Sequence, residues 1–207
     1  MAPTSRTPLL FDRWSDNYDR AGLQLLTYRP LHDAVVRRLG KLDPSVVLDL
    51  GCGTGQLTER LIRHFPNADV MGFDFSDGML DEAKHRVDTA LVRADAHHLP
   101  VAPGTVDLVV CTESFHWYRD QRFVLDGLAR LVRPGGRLLI GSIATVTSFG
   151  DQVMRAVSSA AGTEVRALPP TALAGLLTET GFEVVHQRRI PRFGLAAWPV
   201  LTDARRR

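Results

Sequence analysis

The stretch Val46-Val47-Leu48-Asp49-Leu50-Gly51-Cys52-Gly53-Thr54-Gly55-Gln56 decides the fold. A short apolar run enters three glycines at alternate positions, and a helical pattern follows with Leu57, Leu61, Ile62 and Phe65 on one face. The reading is a buried strand, a tight turn and an amphipathic helix. Glycine there admits positive φ and lets a ligand approach the backbone with no Cβ in the way. A Gly-rich turn by itself is weak evidence, because a generic βα connection looks the same. Its place between an apolar strand and an amphipathic helix raises its weight.

Outward from this unit the pattern repeats. Strand candidates are Asp69–Asp74, Ala90–Asp95, Val106–Cys111, Arg137–Ile143 and Phe182–Ile190, with a last one from Gly194–Ala204. Pro199 is awkward within that last run, since it cannot donate to a ladder. Between the runs lie helices: one capped by Ser76 and carrying Met79, Leu80 and Ala83, and one lined by Leu125, Leu128, Leu131 and Val132. The latter stops at Pro134-Gly135-Gly136, and a final helix with Leu173, Leu176 and Leu177 ends at Gly181. Such alternation predicts parallel βαβ units with helices on both sheet faces, and ligands outside the carboxyl ends of the strands. Ahead of the first strand, Leu31, Val35 and Leu39 mark one helix, and Phe11, Trp14 and Tyr18 suggest another. Residues 145–170 read as a short helical insertion over the site rim.

Composition narrows the partners. The 207 residues are 44% apolar and 23% charged, which fits one ordinary globular domain and excludes disordered or fibrous classes. A formal charge of +2 is too balanced to argue for a nucleic-acid surface. Cys52 and Cys111 show no paired spacing, and no apolar run reaches the roughly 20 residues that span a bilayer. Without an apolar leader at the N-terminus, the expectation is a cytoplasmic protein with no membrane partner, monomeric or homodimeric.

Spacing then selects the ligand. A dinucleotide fingerprint needs G-x-G-x-x-G, but residue 56 is Gln and the third glycine comes one place early, at Gly55. Asp49 is expected to point into the same pocket, where a carboxylate suits a cationic ligand and repels a pyrophosphate. Leu48 to Gly55 resembles the first motif of class I S-adenosylmethionine-dependent methyltransferases, and the rest of the chain follows that family in order. Asp74 ends the second strand and Asp95 stands in Arg93-Ala94-Asp95-Ala96; Val106 to Val110 resembles the fourth strand. Leu131 to Leu138 matches the usual entry to the fifth, the aromatic N-terminus is similar to the lid of small-molecule members, and His116-Trp117 is similar to the His-Trp of relatives of trans-aconitate and ubiquinone/menaquinone methyltransferases. The resemblance implies a Rossmann-like doubly wound α/β fold. Its sheet has seven mostly parallel strands with the last antiparallel, residues 1–45 forming a helical lid and 46–207 the core.

It also implies S-adenosyl-L-methionine as cofactor, with S-adenosyl-L-homocysteine as product. Asp74 would bind ribose hydroxyls and Asp95 with Ala96 the adenine edge, while Gly51, Gly53, Gly55, Gln56 and Thr112 line the turn and strand end. Phe75 and Met79 are placed as apolar walls for the adenine, with helix core the other reading of Met79. Tyr18 either closes on the methionine carboxylate or packs a helix. The loop Cys111 to Tyr118 falls where a methyl group would point. His116 there is either a general base near neutral pH or a structural histidine; Phe115 and Trp117, with Trp14, either shape an acceptor pocket or anchor packing.

No metal set is read. His97 and His98 are adjacent and lack partners at ligand spacing, and Glu113 alone does not make a magnesium site. The expected activity is methyl transfer in line to oxygen, nitrogen or carbon of a small molecule. The alternatives are a member that keeps the cofactor pocket without methylating, as binding partner or cyclisation catalyst, and a methyltransferase for RNA or protein.

Overall fold

The computed structural model describes residues 22–145, 165–191 and 197–207; the positions of Trp14, Tyr18 and most of the 145–170 insertion lie outside the described residues. In chain order the elements are α1 (Gly22–Leu39), β1 (Val46–Leu50), α2 (Gln56–His64), β2 (Asp69–Asp74), α3 (Asp77–Lys84) and β3 (Leu91–Arg93). There follow β4 (Val106–Thr112), a 3-10 turn (Phe115–Trp117), α4 (Gln121–Leu131), β5 (Val132–Thr145), α5 (Pro170–Glu179), β6 (Phe182–Arg189) and β7 (Ala197–Arg206). The seven strands form one sheet in the order β3-β2-β1-β4-β5-β7-β6. β7 runs antiparallel to both of its neighbours, and the pairs among β1 to β5 are parallel.

Alternation along the strands builds two cores. In β1, Leu48 and Leu50 face the cluster that holds Leu125 and Leu128 of α4 and Leu173 and Leu177 of α5. Val47 faces the opposite cluster with Leu31, Val35 and Leu39 of α1 and Leu57 and Leu61 of α2. β4 is buried along its whole length, as a central strand covered on both faces must be. Each buried leucine of these layers contributes roughly 2 kcal/mol of apolar transfer.

Several boundaries move from their expected places. β3 is only three residues because Asp95 accepts the His97 amide at 3.0 Å, an Asx turn that takes the chain out of the ladder. β5 starts at Val132 rather than Arg137: Val132 opposes Val106 while Arg137 opposes Leu108, so Pro134-Gly135-Gly136 form a bulge inside the strand rather than a stop before it. β7 extends to Arg206, past Ala204. Pro199 is tolerated there for a positional reason. Its carbonyl accepts from Ile190, one residue past the end of β6, so its missing N–H falls where that ladder stops.

Candidate functional site

The strand order reverses between β1 and β4, so a crevice opens at their carboxyl ends. Two loops meet there. The glycine turn after β1 is pinned by Gly51 and Cys52, whose amides donate to the Phe73 carbonyl at 2.7 and 3.0 Å. Gly51, Gly53 and Gly55 all have positive φ, at 74°, 53° and 79°. Their surroundings differ. A Cβ on Gly51 would lie 2.4 Å from Ser114, and one on Gly55 3.2 Å from the Ala83 Cβ, so these two are glycine for packing. Among the described residues a Cβ on Gly53 would meet nothing within 4 Å, so of the three this is the glycine whose Cβ position opens away from them.

Asp74, at the end of β2, faces that turn. Its Oδ2 accepts from the Gly53 amide at 2.9 Å and its Oδ1 from the Ser76 amide at 2.9 Å. The two amides fix the orientation of this carboxylate. Ser76 then caps α3 by accepting from Met79 at 3.2 Å, as the sequence reading expected. Phe75 stands exposed beside Asp74 with the Arg93 guanidinium 5.7 Å from its ring centre. Met79 is only 3% exposed and belongs to the packed face of α3, so the helix-core reading fits it better than that of an adenine wall.

Asp49 departs from its expected setting. Its side chain is 1% exposed and accepts from the Thr58 hydroxyl at 2.6 Å, beneath the first turn of α2 that Gln56 opens. Burial pushes its carboxyl up to about 7, with the nearby Asp74 charge adding to the rise. It is therefore not an open wall of the pocket but a support under the glycine turn.

Across the crevice, Thr112 ends β4 at 8% exposure and Glu113 follows with φ 56°, the sole described non-glycine residue at positive φ. That conformation costs a β-carbon residue roughly 1–2 kcal/mol and turns the loop sharply back over the strand ends. Phe115 is 1% exposed within the core cluster, a correction to its expected place as a pocket wall. His116 is 2% exposed, its Nδ1 3.5 Å from the Ser142 hydroxyl of β5. Burial holds its imidazole down to about 4, so it does not titrate near neutral pH as a base poised there would. Trp117 alone of this trio is partly exposed.

The structure adds partners that sequence spacing did not reveal. The Ser114 hydroxyl donates to the Leu50 carbonyl at 3.0 Å and accepts from the Tyr118 hydroxyl at 3.1 Å, with Cys111 Sγ 3.1 Å away. This cluster ties the loop after β4 to the glycine turn. Cys111 is buried in the core and its thiol is pushed up to about 11 by burial, which removes it as a nucleophile. On the β3 side, Asp95 accepts the His97 ring Nδ1 at 2.6 Å, and Ala96 packs partly buried against the core. Burial pushes the Asp95 carboxyl up, but the hydrogen bonds from the His97 amide and ring outweigh it and leave it below its ordinary value.

The doubly wound sheet sets an acid at the end of β2 against a glycine turn at its switch point, the place where folds of this architecture bind ligands. Residues 48–140 match the family described as a methyltransferase domain. It is 39% identical over 109 residues to the malonyl-(acyl-carrier protein) O-methyltransferase of Hahella chejuensis, covering 51% of this chain and 39% of the relative. Against the trans-aconitate 2-methyltransferase of Methylobacterium radiotolerans it is 32% identical over 171 residues, covering 82% of this chain and 61% of that one. The chain thus spans about half the length of the curated relatives it matches. Among solved structures, the 4+2 cyclase SpnF superposes with a TM-score of 0.82 at 18% identity, covering 100% of this chain and 97% of that chain. That likeness shows the fold alone. Among the described residues no helix is long and apolar enough to cross a membrane, and no group of three or more His, Cys, Asp or Glu stands ready to hold a metal.

Proposed function

We propose that this chain binds S-adenosyl-L-methionine at the crevice between β1 and β4 and transfers its methyl group to a small-molecule acceptor. The observation that carries the reading is Asp74. Its carboxylate is oriented by the Gly53 and Ser76 amides while the Gly53 Cβ direction stays open. When bound, the cofactor supplies a methyl group already activated on a sulfonium, so alignment and exclusion of water provide much of the rate enhancement. In this reading Asp74 holds the ribose hydroxyls, Asp95 and Ala96 the adenine edge, and the Gly51–Gly55 backbone the amino-acid portion. Tyr18 and Trp14 are proposed to close over the cofactor and acceptor.

The acceptor reading draws on the names of two relatives. Transfer to a nucleophile that is already deprotonated at neutral pH needs no general base. A carboxylate oxygen is the simplest such group, and it agrees with the acyl and carboxylic-acid names of the two relatives. Calorimetry with S-adenosylhomocysteine and with NADH tests the cofactor: micromolar binding of the first and none of the second is expected, and the reverse would end this proposal. Labelled methyl transfer to a panel of carboxylic acids, phenols and amines tests the acceptor. Label in phenols or amines but not acids would overturn the carboxylate reading and leave methyl transfer standing.

A further inference from the structure

His97 is a residue the proposed chemistry does not use, yet it is built into the site with unusual care. Its side chain is 13% exposed and lies between two elements. On one side its Nδ1 is 2.6 Å from Asp95 Oδ1, which also accepts the His97 backbone amide at 3.0 Å. On the other, its Nε2 accepts from the backbone N–H of Asp120 at 3.3 Å. These partners fix the tautomer: Nε2 must carry a lone pair, so Nδ1 carries the proton and donates to Asp95. Asp120 is in turn the N-cap of α4, its side chain accepting from Phe123 at 2.9 Å. The imidazole is walled by the rings of Tyr118 and Phe123, at centroid distances of 6.3 and 6.1 Å.

The consequence is directional. Both hydrogen bonds from His97 fall on Oδ1, so the carboxylate plane of Asp95 is set and Oδ2 is the oxygen presented away from His97. A free Asp side chain on a loop would sample several rotamers and present either oxygen. The anchor for this orientation is α4, which follows the loop carrying Thr112 to Trp117. We propose that His97 is a positioning residue that orients Asp95 and thereby sets the site's selectivity for a purine bearing a 6-amino group. The proposal rests on the reading that Asp95 faces the adenine edge of S-adenosylmethionine.

The test compares two ligands on the whole chain: S-adenosylhomocysteine and its analogue in which hydrogen replaces the 6-amino group. Wild type is expected to prefer the amino ligand by roughly tenfold or more, the worth of one hydrogen bond to a charged group. In His97→Ala that ratio is expected to fall to within about threefold of unity, and His97→Asn, whose amide N–H lies where Nδ1–H was, is expected to restore it. A merely structural role would lower thermal stability without moving the ratio. An unchanged ratio in a folded His97→Ala therefore overturns the proposal. If that variant does not fold, His97→Gln replaces it, and equal ratios in the Gln and Asn variants overturn it too. Wild type that binds S-adenosylhomocysteine with no preference removes Asp95 from the adenine edge while the cofactor reading survives. Failure of wild type to bind S-adenosylhomocysteine at all removes both.

Discussion

Asp49 and His116 are both buried ionisable groups in the crevice region, and burial moves each toward its neutral form. For Asp49 the native carboxyl sits at about 7 against an ordinary 3.8. The folded state therefore binds the proton more tightly than the unfolded one, and its contribution is fully present below about pH 4 and lost as pH rises through 7. Asp49→Asn keeps an acceptor for the Thr58 hydroxyl and removes the titration. Urea unfolding is expected to show the variant gaining on wild type between about pH 4 and pH 8 by up to a few kcal/mol, whereas parallel curves would mean the carboxyl is not raised. For His116 the expectation concerns spectra. Its ring nitrogens should report a neutral imidazole throughout the range from about pH 5.5 to 8 by NMR, and an inflection near 6.5 would contradict the burial that holds it down.

At the scale of elements, the glycine turn divides its labour among three residues that the sequence presents as alike. Gly51→Ala forces a Cβ to within 2.4 Å of Ser114 at a φ of 74°, so it should disturb the loop after β4 and lower the melting temperature markedly. Gly53→Ala meets no atom of the described residues and is expected to cost only the left-handed backbone strain of roughly 1–2 kcal/mol. Gly53→Val is expected to leave a folded protein with S-adenosylhomocysteine affinity reduced at least a hundredfold, because its branch enters the space where Gly53 is open. Calorimetry and thermal melts on the pair separate these effects; equal melting losses at both positions would show that the turn acts as a unit. Asp74→Ala should also abolish binding, since it removes the carboxylate and leaves the Gly53 and Ser76 amides without their acceptor.

Across the whole molecule, an ion cluster joins the first described helix to the last strand. Asp203 of β7 is 0% exposed and pairs with Arg38 of α1 and with Arg137 of β5, whose Nε lies 2.9 Å from it. Removing the shared acid strands two guanidinium groups that are only 32% and 20% exposed. Asp203→Asn is expected to cost about 3 kcal/mol in urea unfolding with an unchanged slope, and a loss below about 0.5 kcal/mol would mean that solvent already screens the cluster. The fold itself does not choose the reaction, since the cyclase SpnF shares it.

How much was legible in the residues follows from how local each feature is. The β1–turn–α2 unit, the Ser76 cap and the alternation of strands and helices depend on conformational preferences within a dozen residues, and the sequence by itself determined them. The tertiary structure decided which side chains those elements bring together. Ser114 meets the Leu50 carbonyl from 64 residues away, and Asp203 meets Arg38 from 165 away. It also decided that Phe115 and Met79 pack inward, that Asp49 lies under the turn rather than in the pocket, and that His116 is too deeply buried to titrate near neutrality. Periodicity cannot supply these, because a residue's burial and partners exist only once the sheet has set its neighbours beside it, and desolvation then fixes the charge each group can carry.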